Sequence, residues 1–253
     1  MPSDNKKEEV NPAVQERIER GDPWYVASQF AWAQRPEIRF IYEKRFEYFC
    51  SCLERVKKSS AAPLRMLDAG CGDGYWISRL ESIQDVEIEG VDYNPLRVER
   101  AKQILARANI RVLDILHFET VKPFDVVLLN QVIEHVKDDA GLLRKMLALL
   151  RPGGVLILGT TNEGSWIQQW SLRRGGGLSQ TDHVHFYTEE AMRKKIIDAG
   201  FRIESMMREV FYVGSDRLYY ALTRRRWGFR MLEALTKMFP SQCSDFYFEC
   251  VAV

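Results

Sequence analysis

Between residues 64 and 161 short apolar runs alternate with amphipathic stretches, and this alternation restricts the fold more than any other feature. "LRMLDAG" reads as a buried strand and "YWISRLESI" as a helix. "VEIEGVDYN" reads as strand and turn, and "PLRVERAKQILARA" as a helix with Pro95 in its first turn. "IRVLDIL" and "FDVVLLN" are further strands, and "DDAGLLRKMLALL" is a helix ending at Arg151-Pro152-Gly153-Gly154. "GVLILGT" is a fifth strand. Strands alternating with helices imply a parallel sheet, covered on both faces. The expected class is therefore α/β.

The flanking segments read differently. Residues 1 to 20 are highly charged, and Pro23 to Val56 intersperse Phe30, Phe40, Phe46 and Phe49 with charges, as in amphipathic helices broken near Pro36. These helices either pack on the core or form a lid over a ligand. The expected division is an N-terminal helical extension over 1–60, joined by the linker 59–63 to a domain over 61–253. Insertions at 164–182 and 216–240 would shape the ligand site. The glycines at 175–177 mark a loop tip within the first. Thr188 is placed as an N-cap and Gly200 as a helix stop. "RIESMMREVFYV" and the final "DFYFECVAV" read as strands.

Composition removes several function classes. With 253 residues and a net charge of +1, bulk electrostatics give no sign of a nucleic-acid partner. The five cysteines include no C-x-x-C pair, so neither a zinc ribbon nor a disulfide framework is indicated. The polar start "MPSDNKKEEVN" lacks the apolar core of a signal peptide, and no uncharged run spans a bilayer. The expected location is cytoplasmic.

The glycine loop "LDAGCGDGYW" follows the first strand. Its spacing is G-x-G-x-G, whereas the dinucleotide fingerprint would need glycine where Tyr75 stands. Glycines there serve either a tight strand–helix turn or the close approach of a ligand. Asp92 ends the second strand, 18 positions beyond Gly74, where an acid can accept from both hydroxyls of a ribose. Asp114 ends the third strand and could accept from an adenine amine. Asp68, inside the loop, repels a pyrophosphate but favours an ammonium or sulfonium. Singly each acid could be a cap; together, at one sheet edge, they point to a ligand.

"LDAGCGDG", "GVDYNPLRVERAK", "VLDIL", "FDVVLLNQVIEHV" and "LLRPGGVLILGT" resemble, in order and spacing, the successive motifs of class I S-adenosylmethionine-dependent methyltransferases. "HVHFYTEEAMRKKIIDAGF" is similar to the segment before the sixth strand in small-molecule members, including ubiquinone-biosynthesis O-methyltransferases. The resemblance implies a Rossmann-like, doubly wound, seven-stranded and mostly parallel sheet with an antiparallel last strand near Asp245–Val253. It implies S-adenosyl-L-methionine as cofactor. Gly70, Cys71, Gly72 and Gly74 would line its methionine end, with Asp68 near the amino group. Asp92 would hold the ribose, Tyr93 would pack beside the adenine, and Asp114 and Ile115 would flank it. Asn130, Gln131 and Val132 would lie under the sulfonium.

The cofactor carries its own electrophile, so the protein must align acceptor, methyl and sulfur and exclude water. An oxygen acceptor must also lose a proton, for which histidine is a natural base. The candidates are His135, in "NQVIEHV" past the fourth strand, and His183 and His185, which would point to one side of a strand in "HVHFY". His117 reads as a solvated loop residue. His183 and His185 lack an evident third ligand, so no metal is assigned. The expected reaction is O-methylation of a small molecule: a phenol, a quinone precursor or a glycosyl unit. N- or C-methylation of a small or lipid-linked substrate is the alternative. An NAD-dependent oxidoreductase and a non-catalytic cofactor-binding protein are the readings from other classes. "NQVI" stands where amino-methylating nucleic-acid enzymes carry Pro-Pro, and no Pro-Cys nucleophile occurs. The basic, aromatic segment Arg217–Phe239 is expected to be helical. It would wall the acceptor pocket, join two copies as a homodimer, lie on a membrane surface, or bind an acidic polymer.

Overall fold

The computed structural model of the chain describes residues 11–58, 63–105, 107–175 and 182–253. The linker at 59–62 and the loop tip at 176–177 lie outside the described residues, as do residues 1–10. One sheet holds β1 (Leu64–Ala69), β2 (Val86–Asp92), β3 (Asn109–Val112), β4 (Phe124–Asn130), β5 (Leu150–Thr161), β6 (Phe201–Arg208) and β7 (Asp245–Ala252). Its order is β3-β2-β1-β4-β5-β7-β6. The first five strands pair in parallel, and β7 runs antiparallel to both β5 and β6. The expected doubly wound sheet with an antiparallel last strand is what forms.

Helices cover both faces. α1 (Pro12–Glu19), α2 (Pro23–Val26) and α3 (Gln29–Ala33) lead into the long α4 (Arg39–Lys58). α5 (Tyr75–Leu80) follows the glycine loop and α6 (Pro95–Ile104) follows β2. α7 (Asp139–Leu149), α8 (Trp166–Arg173) and α9 (Glu189–Asp198) come next, then α10 (Asp216–Thr223) and α11 (Arg226–Met238). Successive strand residues point to opposite faces, so each strand feeds two cores. Met66, Val126, Ile157 and Tyr247 pack with Phe49, Ile77 and Val98 beneath α4, α5 and α6. Their neighbours Leu67, Val127, Leu158 and Phe246 pack with Leu142, Met146, Met192 and Ile196 beneath α7 and α9. Complete burial of each large aliphatic chain contributes roughly 1.5–3 kcal/mol.

Several local expectations are corrected. β3 stops at Val112, because Asp114 accepts the Leu116 N–H at 2.9 Å and folds Ile115–His117 into a 3-10 turn. The helix expected to reach Arg151 ends at Leu149, and β5 takes the chain from Leu150. "HVHFY" is not a strand. The Val184 and His185 N–H groups both donate to the Glu134 carbonyl, so no ladder forms there. The helix expected over 217–239 is two helices, broken at an extended Arg225. Gly228 permits this corner, since a Cβ there would lie 2.4 Å from the Leu222 carbonyl oxygen.

Gly159 shows how tightly the central strands are filled. A methyl group at this position would sit 2.1 Å from the ring of Tyr247, which is fully buried. Gly159→Ala is expected to cost about 1–3 kcal/mol through overpacking, read as a lower urea midpoint at unchanged m-value.

Candidate active site

The order β3-β2-β1-β4-β5 reverses direction between β1 and β4, and the C-terminal ends of these parallel strands open a crevice there. The glycine loop leaves β1 into this crevice. Gly70, Gly72 and Gly74 all take left-handed φ values of 89°, 55° and 80°. Two of them are also approached closely. A Cβ on Gly70 would meet Val132 Cγ2 at 2.3 Å, and one on Gly72 would meet the Gln29 amide at 2.4 Å. Cys71 is buried among the loop's carboxylates, and burial first, then Asp68 and Asp92, push its thiol pKa well up. It is a packed side chain, not a nucleophile.

The acids gather as the sequence suggested, with unequal exposure. Asp92 is buried and accepts the Gly72 N–H and the Asn94 N–H, each at 2.8 Å, one on each carboxylate oxygen. Each oxygen keeps a further lone pair for a ligand hydroxyl. Asp114 is exposed beside the buried Ile115. Tyr93 is partly exposed and donates its hydroxyl proton to the Tyr25 hydroxyl at 3.3 Å. Asp68 is 1% exposed, and its Oδ2 has no hydrogen-bond partner. Burial, with the nearby Asp92 carboxylate, pushes the Asp68 pKa up to about 8. Asn130 Oδ1, at the end of β4, is also buried without a partner. Two orphaned acceptors on adjoining strands fit a ligand that brings donors, and an ammonium beside Asp68 would supply one.

Part of the N-terminal stretch, for which core packing and a lid are both open, lies across this edge. The segment from Trp24 to Gln29 crosses it. The Gln29 N–H donates to Asp73 Oδ2 at 2.9 Å, and the Asp73 N–H donates to Gln29 Oε1 at 3.1 Å. Asn94 donates to the Tyr25 carbonyl, Arg97 to that of Trp24, and Arg100 to that of Val26. The Asp22-Pro23 pair, an N-cap ahead of a first-turn proline, was the one local clue that the chain turns here.

Beyond β4, Gln131 adopts φ 56° and donates its backbone N–H to the Gly159 carbonyl. Its side-chain amide donates to Asp245 Oδ1 at 3.2 Å. The turn Ile133–His135 then presents Glu134 and His135. His135 Nδ1 lies 3.0 Å from Asp182 Oδ1, and the His135 and His183 rings meet edge to face at 4.6 Å. His183 Nδ1 lies 2.6 Å from Glu163 Oε2. Burial pulls the His135 pKa down, but the Asp182 and Glu134 carboxylates outweigh it and set it above the ordinary value. The same contact with His135 holds Asp182 well below the usual carboxylate range.

His185 is placed elsewhere. Its Nε2 is within 3.1 Å of the Val136 carbonyl and 3.2 Å of the Lys137 carbonyl, and its ring stacks on Tyr187. The expected pairing of His183 with His185 is therefore replaced by His183 with His135. The structure adds the third group that the sequence pattern lacked. Glu134, His135 and His183 bring ligand atoms within 4.8 Å of one another, a spacing that one divalent cation could bridge. Glu134 is fully buried, holds the Thr160 hydroxyl on one oxygen and leaves Oε1 without a partner. An acid two residues before "VH" and a glutamate adjoining His135 were visible as neighbours in sequence, but their convergence was not.

Comparison with known proteins places the chain in a family. A family model described as a methyltransferase domain matches residues 41–206. The ubiquinone biosynthesis O-methyltransferase of a Bradyrhizobium species is 32% identical over 185 residues, covering 66% of this chain and 71% of that protein. The enzyme of the same name from Psychrobacter arcticus is 25% identical over 240 residues, covering 86% and 89%. Among solved structures, magnesium protoporphyrin IX methyltransferase from Synechocystis with bound S-adenosylhomocysteine aligns with a TM-score of 0.61. It shows 19% identity over 96% of each chain. An N-methyltransferase from Bradyrhizobium japonicum, also with that molecule, aligns at 0.57 and 16% identity, over 95% of this chain and 96% of that one.

The raised Asp68 pKa makes a stability prediction whose sign is fixed. The folded chain holds this proton to about pH 8, whereas an unfolded aspartate releases it near 3.8. The contribution is thus fully present below the unfolded value and is lost as pH rises through the folded one. In urea unfolding of the ligand-free chain, stability should fall between pH 6 and pH 8.5 more steeply than in Asp68→Asn. Parallel slopes would refute the assignment.

Proposed function

Because this chain belongs to the methyltransferase-domain family and is an S-adenosyl-L-methionine-dependent methyltransferase, we propose that it transfers the cofactor's methyl group to an oxygen of a small, partly apolar acceptor. The observation that carries this reading is the pair His135–Asp182 just past the end of β4. When bound, the cofactor supplies an electrophilic methyl on a sulfonium. The chain's own residues do the rest. Asp68 and the glycine loop would hold the amino-acid end, Asp92 the ribose, and Tyr93, Asp114 and Ile115 the adenine. Asn130, Gln131 and Val132 would lie beneath the sulfur. The arrangement of Tyr25 and Gln29 over the glycine loop supports exclusion of water from this edge.

His135 takes the acceptor's proton in this reading. Asp182, at ion-pair distance, stabilises the imidazolium that forms, and His183, braced by Glu163, packs against the ring. His185 serves the loop and not the chemistry. The relatives are named as O-methyltransferases of ubiquinone biosynthesis, and an oxygen acceptor suits a base at this edge.

A second reading is favoured by the buried, unpartnered Glu134 Oε1. Glu134, His135 and His183 would hold a divalent cation that polarises the acceptor oxygen directly. The two readings divide on a chelator: exhaustive chelation abolishes turnover in the second and leaves it intact in the first.

For the principal reading, His135→Ala should lower kcat by about 10²–10⁴ while calorimetric binding of S-adenosylhomocysteine changes little. Turnover should rise with pH through an apparent pKa above the ordinary histidine value, because Asp182 and Glu134 raise it. Asp182→Asn should shift that inflection to lower pH. Full turnover in separate His135→Ala and His183→Ala variants would show that alignment alone drives the reaction.

A further inference from the structure

α11 is apolar on two sides, and only one of them is used by the fold. Phe229, Leu232 and Thr236 face inward, and Phe229 meets Phe40 of α4 at 5.7 Å. Trp227, Met231, Ala234 and Met238 recur at i, i+4, i+7 and i+11, which places them on one outward stripe. They are exposed: Trp227 at 66%, Met231 at 40% and Met238 at 69%, continued by Phe239 at 50%. Large apolar groups aligned in this way on a free surface mark an interaction face.

The charge beside the stripe identifies the partner. Arg226, Arg230 and Lys237 follow at i, i+4 and i+11 along one flank, and Arg225 precedes the helix. All four side chains are exposed, and none forms an ion pair or side-chain hydrogen bond with another described residue. The nearby charges are already balanced. Glu233 pairs with Lys44 at 3.0 Å, and Glu37 is held by Arg35 with Arg224 close to it. An apolar partner protein has no need of a row of unpaired cations. A bilayer with anionic headgroups needs both elements: a shallow apolar wedge with a tryptophan, and cations at headgroup depth. We propose that α11 lies in the interface of an anionic lipid membrane, with Trp227, Met231 and Met238 inserted and Arg226, Arg230 and Lys237 on the phosphates.

This attachment is peripheral, since no described helix is long and apolar enough to cross a membrane. It does not depend on which atom the enzyme methylates. It also leaves the folded core alone, because the inward face of α11 stays on Tyr219, Val210 and Ile41.

The test is co-sedimentation of the full chain with extruded vesicles. One set is pure phosphatidylcholine and the other contains 30 mol% phosphatidylglycerol (about 30%, chosen to give a strongly negative surface). Binding is expected to the anionic vesicles only and to weaken as salt rises. The triple variant Arg226→Glu/Arg230→Glu/Lys237→Glu, and separately Trp227→Ser, should each reduce partitioning at least about tenfold. Calorimetric binding of S-adenosylhomocysteine serves as the control for folding. Equal binding to both vesicle types, no binding at all, or variants that bind like the parent chain would overturn the proposal. So would a dimer in sedimentation velocity that Trp227→Ser dissociates, because the stripe would then be a contact between two copies of this chain.

Discussion

The buried guanidinium of Arg45 is the interaction on which the rest of the structure depends. It lies on the inner face of α4, where the helical spacing of Ile41, Phe49, Cys52 and Val56 calls for an apolar residue. It binds both oxygens of Glu209 and reaches Asp245 Oδ1 at 3.4 Å. Burial and the adjoining Glu209 carboxylate push the Asp245 pKa well up, while Arg45 holds Glu209 below its ordinary value against the effect of burial. Arg45 is thus the cation that offsets two adjoining buried carboxylates. Removing one partner of such a cluster leaves an uncompensated buried charge, which costs about 3–5 kcal/mol.

The same cluster reaches outward in several directions. Ser244 donates to Glu209, Tyr219 of α10 donates to Ser244, and Lys44 holds the Glu209 carbonyl and Glu233 of α11. Through Asp245 it holds Gln131, the residue turned into a left-handed conformation next to the end of β4. α4, the end of β6, β7, α10, α11 and the turn after β4 thus share one set of polar contacts. The flanking segments, which no sequence motif describes, are what fix the position of the motif residues.

The central sheet was legible because its signals are local. Each strand is a short apolar run, and each turn carries a glycine, proline or acid with a defined conformational task. Asp68, Asp92 and Asn130 converge because parallel strands end at one edge, so their adjacency follows from order alone. His135, His183 and Asp182 were harder to relate. "HVHFY" has the period of a strand, but its backbone bonds go to the Glu134 carbonyl, and this tertiary contact overrode the pattern. Arg45 and Gln29 fall within the stretch expected as amphipathic helices, where nothing local sets them apart. Their partners lie 164 and 44 positions away. No window of sequence contains such a pair.

The placement of β7 has a consequence for the order of assembly. Among the described strands β6 pairs only with β7, and β7 in turn occupies the slot beside β5. A strand made later therefore lies inside one made earlier. During synthesis residues 201–208 cannot meet their final neighbour until 245–252 have left the ribosome. Asp245, the first residue of that strand, brings with it the group that anchors Arg45 and Gln131. A nascent chain that already carries β1 to β6 would still lack this anchor, so the turn after β4 gains its hold from one of the last segments in the sequence order.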